Sequence, residues 1–201
     1  MSAQKLGFTF REMMSGGFSL GETDPVQGEA KGQDTVLEMH NTITIEDLDK
    51  FITEPSHPGS IAGYINWKPF GQNVQAPTGV FNLFSPTGDP TLKLMIYELA
   101  FEHGGERYYY AGHKEVKVHP IIDAWKDTTT LYSTLHKGTD KNGPVVGAGI
   151  VSLSPVELIK MISTFRALNA SSYQEEAAAV ATFGKFFLGE VWETYVKKAG
   201  V

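Results

Sequence analysis

LKLMIYELAFEHGGERYYYAGHKEVKV, residues Leu92 to Val118, decides the reading of the fold. Two β-prone runs flank His103-Gly104-Gly105-Glu106, whose paired glycines can supply the positive φ of a tight hairpin turn. In the first arm Leu92, Leu94 and Ile96 share one side, while Met95, Tyr97, Leu99 and Phe101 share the other. A strand apolar on both sides lies between two layers, or in a barrel wall with a filled or ligand-holding interior and an outer cover. The stretch therefore predicts closed or covered antiparallel β-structure.

The surrounding sequence extends that pattern. Strands are expected over Thr35 to Ile45, Ser60 to Trp67, Gly79 to Phe84, Leu92 to Phe101, Glu106 to Val118, Thr128 to His136 and Val145 to Leu153. Turn-forming clusters separate them, among them Pro55-Ser56-His57-Pro58-Gly59, Pro86-Thr87-Gly88-Asp89-Pro90 and Asp140-Lys141-Asn142-Gly143-Pro144. Glu46 to Ile52 reads as one or two helical turns. Sequential strands with short connections and no βαβ alternation predict a mainly β fold: an antiparallel β-barrel, lipocalin-like in outline, with a two-sheet β-sandwich as the alternative.

The ends read differently. Residues 1–34 open with a possible short strand or helix near Phe8 to Met14, then run into GGFSLGETDPVQGEAKGQD, and are expected to form an N-terminal arm across the body. Gly16, Gly17 and Gly21 match neither GxxxxGK[ST] nor GxGxxG, so no phosphate-cradling loop is expected there. Residues 35–153 are expected to form the barrel. Residues 154–201 are expected to be a helical hairpin packed on it, as one folding unit. Ser154-Pro155-Val156-Glu157 places serine at the N-cap, proline at N1 and glutamate at N3. Val156, Ile159 and Ile162, with Met161, Phe165 and Leu168, make an apolar stripe. A second helix starts at Ser171 or Ser172, with Val180, Phe183, Phe187, Val191 and Tyr195 at helical spacing and Trp192 adjacent.

Composition narrows the function classes. At 201 residues, 41% hydrophobic and 20% charged, the chain has the make-up of one ordinary globular domain. A net charge of −6 and a pI near 5.5 argue against nucleic-acid binding. The absence of cysteine excludes disulfides, thiolate nucleophiles and cysteine-ligated zinc. No window is long and apolar enough for a membrane-spanning helix, MSAQKLGFTFREMM does not read as a signal peptide, and a cytoplasmic protein is expected.

No residue pattern names a reaction. The histidines at 40, 57, 103, 113, 119 and 136 form no HExxH or HxH pair, so no metal site is expected, and no cofactor signature occurs. Ser19 lies among glycines but lacks the GxSxG elbow. Glu98, Glu115, Asp123 and Asp127 are carboxylates near strand ends or faces that could act as acid and base. Glu98 shares its strand face with Leu92, Leu94, Ile96 and Ala100; if that face points inward, it needs a partner or a shifted pKa. Aromatic residues suggest a wall for an apolar ligand, with tyrosine hydroxyls orienting a polar head. The candidate ligand-binding residues are Trp67, Tyr97, Glu98, Tyr108, Tyr110, His113 and Tyr132, beside the plainer reading that these rings fill a core.

Several segments taken together resemble a known family. FTFREMMSGGFS, DPVQGEAKG, HPGSIAGYI, GVFNLFSP, KLMIYELAF, YYYAGHKEV, DAWKDTTTLY and VVGAGIVSL are similar to an accessory region of cholesterol-oxidase-like flavoproteins of the glucose–methanol–choline (GMC) oxidoreductase family. The resemblance runs from about Phe8 through Tyr195. The flavin-binding GxGxxG is absent, so neither the oxidase activity nor any catalytic residue carries over. The resemblance implies association with sterol or lipid metabolism, and a module that binds an apolar molecule or docks an oxidoreductase partner. Three readings stand open: a non-catalytic lipid- or sterol-binding module, a cofactor-free hydrolase or isomerase using a barrel carboxylate or histidine, and a protein-interaction domain with a filled barrel.

Overall fold

The computed structural model describes residues 4–117 and 124–192. Its strands are β1 (Gly7–Leu20), β2 (Val36–Ile45), β3 (Pro58–Trp67), β4 (Gly71–Ala76), β5 (Thr78–Pro86), β6 (Leu92–His103), β7 (Glu106–Lys117), β8 (Thr130–Lys137), β9 (Val145–Ser152) and β10 (Arg166–Leu168). The helices are α1 (Pro25–Lys31), α2 (Leu48–Thr53), α3 (Ala124–Thr129), α4 (Pro155–Ser163) and α5 (Tyr173–Trp192). The antiparallel order β1-β2-β3-β5-β6-β7-β8-β9 closes where β9 returns to β1, through pairs such as Phe18↔Gly149 and Leu20↔Gly147. This is a closed barrel of eight strands, which excludes the sandwich alternative.

The β6–β7 hairpin forms as expected. β6 and β7 pair from Leu92↔Lys117 to His103↔Glu106. Gly104 and Gly105 turn the chain with φ of 60° and 79°, the double positive φ that a two-residue hairpin loop demands. Alternation then fixes two faces. Met95, Tyr97, Leu99 and Phe101 of β6, and Tyr110, Lys114 and Val116 of β7, point into the barrel and are buried.

The N-terminal segment departs from expectation. Residues 7–20 are not an arm but the strand that closes the barrel, and residues 25–31 form α1 against its outer wall. Its glycines serve close backbone approach. A Cβ on Gly16 would sit 2.1 Å from the Ile150 carbonyl oxygen, and one on Gly28 would sit 2.0 Å from that of Ala148.

One stave is broken. β3 pairs with β5 at its start (Ser60↔Val80) and with β4 farther on (Gly63↔Ala76, Ile65↔Val74). β4 and β5 are thus two halves of a single edge-to-edge path, separated by Pro77, which has no N–H to give a ladder. β6 pairs with β5 only as far as Thr78↔Ala100, and β4 pairs with β3 alone. Beyond Pro77 the wall therefore splits.

The C-terminal elements cover one end. Ser154 caps α4 by accepting from the Glu157 N–H at 3.2 Å, with Pro155 in the first turn. α4 and α5 are joined through β10, which pairs with β1. Phe183 of α5 stacks on Phe8 at 4.4 Å, and Phe186 lies edge-on to Phe51 and His57. The apolar residues of α4 divide: Leu158 and Met161, with Phe165 just beyond the helix, pack on the core, while Val156, Ile159 and Ile162 remain 61%, 70% and 52% exposed. Val191, Trp192 and Tyr195 of the expected second-helix stripe have side chains outside the described residues, as do His119 and Asp123. Among the described residues no helix is long and apolar enough to cross a membrane.

Candidate functional site

Inward side chains from the strands pack as one apolar core, with Trp67, Tyr110, Phe18, Phe81 and Met39 among its fully buried members. The barrel is therefore largely filled by its own rings and aliphatics. Two places break that pattern: a polar cluster inside and a cleft in the wall.

The polar cluster comprises Glu12, Asn41, Tyr97 and Lys114, which are 4%, 3%, 3% and 1% exposed. Glu12 follows Phe8 and Phe10 on the inner face of β1 and lies directly opposite Asn41 of β2. Lys114 reaches across from β7. Its Nζ is 3.4 Å from Glu12 Oε1 and donates to the Tyr97 hydroxyl at 3.3 Å, while lying over the Tyr97 ring at 4.8 Å from the centroid. Burial, and then the Glu12 charge, hold the Tyr97 hydroxyl well above the ordinary tyrosine range. Tyr97 is thus a proton donor at neutral pH and not a base. Among the described residues, the buried atoms Glu12 Oε2, Asn41 Nδ2 and Asn41 Oδ1 have no hydrogen-bond partner. Nearby, the Tyr110 hydroxyl donates to Ser133 Oγ at 2.5 Å, and burial raises its pKa.

The cleft occupies the wall split, between β4 and the β6–β7 hairpin. It has a volume of about 740 Å³, within the range of small-molecule sites. Aromatic rings make its floor. Phe70 stacks on His103 at 4.6 Å and meets Tyr108 at 4.8 Å, Phe101 stacks on Tyr108 at 5.7 Å, and Trp67 supports Phe70 from behind at 5.0 Å. Gln72, Gln75, Glu102 and Arg107 bring polar groups to the same cleft.

The seven residues singled out from the sequence fall in four places. Tyr108 lines the cleft, with Trp67 behind it. Tyr97 belongs to the interior cluster and Tyr110 to the adjacent core. Glu98, His113 and Tyr132 lie on the opposite strand faces, on the outer wall. Glu98 is partnered: it accepts from the Tyr109 hydroxyl, and from Lys141 Nζ at 2.8 Å. His113 and Tyr132 rings sit 6.1 Å apart, with Glu115 beside His113. A hydrogen bond from Lys117 holds the Glu115 carboxyl below its usual range. These sites are not one constellation. Glu12, Asn41 and Lys114 were not singled out, although the alternation Phe8, Phe10, Glu12, Met14 carries a charge on an apolar face. Among the described residues no group of three or more His, Asp or Glu could hold a metal ion.

No family model, no curated protein and no solved structure matches this chain.

Proposed function

We propose that the chain is a non-catalytic binding module for a lipid- or sterol-like molecule, taken up in the wall cleft rather than in the barrel interior. The observation that carries this reading is the split beyond Pro77, where Phe70, Phe101, His103 and Tyr108 line a cleft of about 740 Å³. Flat apolar ligands gain from contact with such rings by burial, while a few polar groups at the edge orient them. Similarity of the eight quoted segments to the accessory region of cholesterol-oxidase-like flavoproteins supports a sterol-like ligand. Titration with a fluorescent sterol tests the proposal. Saturable binding to the wild type and its loss in Ala100→Trp, which fills the cleft from β6, are expected. No binding to the wild type, or unchanged binding in the variant, overturns it.

A second reading has its own observation. Val156, Ile159 and Ile162 expose one apolar edge of α4, on the outside of the barrel cap. That edge favours docking of a protein partner, for which an oxidoreductase is the proposal that the same segment similarity supports. Ile159→Lys should abolish such an association in pull-down with a GMC oxidoreductase while leaving sterol titration unchanged; equal capture of variant and wild type removes this reading.

A further inference from the structure

Resting on the ligand reading of the wall cleft, we propose that Glu102 sets the class of molecule the cleft accepts. Held against Arg107, it admits an apolar molecule with an uncharged hydroxyl head and rejects one with a carboxylate or sulfate head.

The charges around the cleft are already matched. Among the described Asp, Glu, Lys and Arg residues, Glu102 and Arg107 are the two that line it. They stand directly opposite one another on the β6–β7 hairpin, and Arg107 Nε donates to Glu102 Oε1 at 3.1 Å. Neighbouring cations are engaged as well. Lys137 Nζ lies 3.3 Å from Glu106 Oε1, and Lys141 Nζ lies 2.8 Å from Glu98 Oε1. Lys68, between β3 and β4, is not among the lining residues. An anionic head therefore finds in the cleft wall a single fixed cation, and that cation already holds an acid.

In the open cleft water screens this pair, whose side chains are 67% and 68% exposed. A ligand lying over it removes that water, and charge interactions strengthen as the local dielectric falls. A carboxylate head must then share one guanidinium with Glu102 or displace Glu102 from it, and like charges brought together are costly. A hydroxyl meets no such conflict. It can donate to the Glu102 carboxylate and accept from an Nη of Arg107, since the bond to Glu102 uses the Nε–H. Gln72, Gln75, Thr78 and Thr139 line the same cleft with amides and hydroxyls that both donate and accept, which suits the same uncharged head.

Displacement of the fluorescent sterol from the full-length protein by decanol and by decanoate, at mildly alkaline pH, tests the assignment. Decanol is expected to compete about tenfold better than decanoate on the wild type. Ionisation alone also disfavours decanoate, so the variants carry the decision. Glu102→Gln should raise the affinity for decanoate about tenfold, and Arg107→Gln added to it should lower that affinity again. Urea unfolding of both variants should stay close to the wild type, because an exposed pair contributes little to the fold. Equal competition by decanol and decanoate on the wild type overturns the proposal and leaves the cleft reading standing. A decanol preference that persists unchanged in Glu102→Gln does the same. A wild type that binds no sterol removes the cleft reading and the proposal with it.

Discussion

Lys114 Nζ and Glu12 Oε1, 102 residues apart in sequence, meet at 3.4 Å inside the barrel with both side chains 2% exposed. Such a pair adds little over an apolar pair of the same volume, but removing one member strands the other charge in the core. Lys114→Met is therefore expected to cost about 3–5 kcal/mol in urea unfolding, and Glu12→Leu combined with Lys114→Met should recover most of that loss. Equal losses in the single and double variants would show that the ion pair is not what the surrounding wall is built around.

Alkaline pH should weaken the fold through the buried tyrosines. Tyr97 and Tyr110 have folded-state pKa values raised by burial, whereas in the unfolded chain they titrate near 10. Their contribution is fully present below that unfolded value. It is lost as pH climbs from there toward the folded values, because only the unfolded chain releases the protons. Tyr97→Phe should flatten this alkaline decline in a stability-versus-pH series. Tyrosinate absorbance of the folded protein should show Tyr97, Tyr109 and Tyr110 resisting ionisation above the ordinary tyrosine range.

The hairpin turn carries a backbone prediction. Gly105 has φ of 79°, a region that β-branched residues all but avoid. Gly105→Val is expected to destabilise by roughly 1–2 kcal/mol or more, although nothing lies within 4 Å of a Cβ at that position. The cost is conformational rather than steric crowding, so Gly105→Asn should be much milder. Chemical denaturation of the two variants separates these causes.

Adjacent tyrosines on β7 should behave differently. Tyr110 is fully buried and contacts Phe18 at 6.0 Å between ring centroids. Tyr109 lies on the outer wall and bonds Glu98. Tyr110→Ala is expected to cost about 3–5 kcal/mol, and Tyr109→Ala about 1 kcal/mol, as judged by thermal and urea unfolding. Equal costs would contradict the assigned faces.

The elements legible in the sequence were those with local chemistry. Gly104-Gly105 announces the hairpin, and Ser154-Pro155 announces α4, because turn and cap requirements are met by neighbouring residues. Of β1 only Phe8 to Met14 reads as a possible strand or helix, because Gly16 and Gly17 read as loop punctuation, whereas close approach to β9 is the reason for Gly16 and is a long-range property. Alternation sorts Tyr97 from Glu98, but with apolar residues on both sides of β6 it does not say which side is inner. The polar cluster depends on the register Glu12↔Asn41 and on barrel closure, neither of which is encoded in any short motif. The wall cleft likewise requires knowing that β6 outruns its pairing with β5.

Native mass spectrometry of the wild type and of Ala100→Trp, each as purified and again after denaturation with lipid extraction, tests the central claim most directly. The cleft account predicts a bound apolar molecule on the wild type that leaves on denaturation, and its absence from the filled-cleft variant. A wild type that carries no such molecule even after incubation with sterols and fatty acids, or a variant that carries it equally, would contradict a ligand site at the split wall.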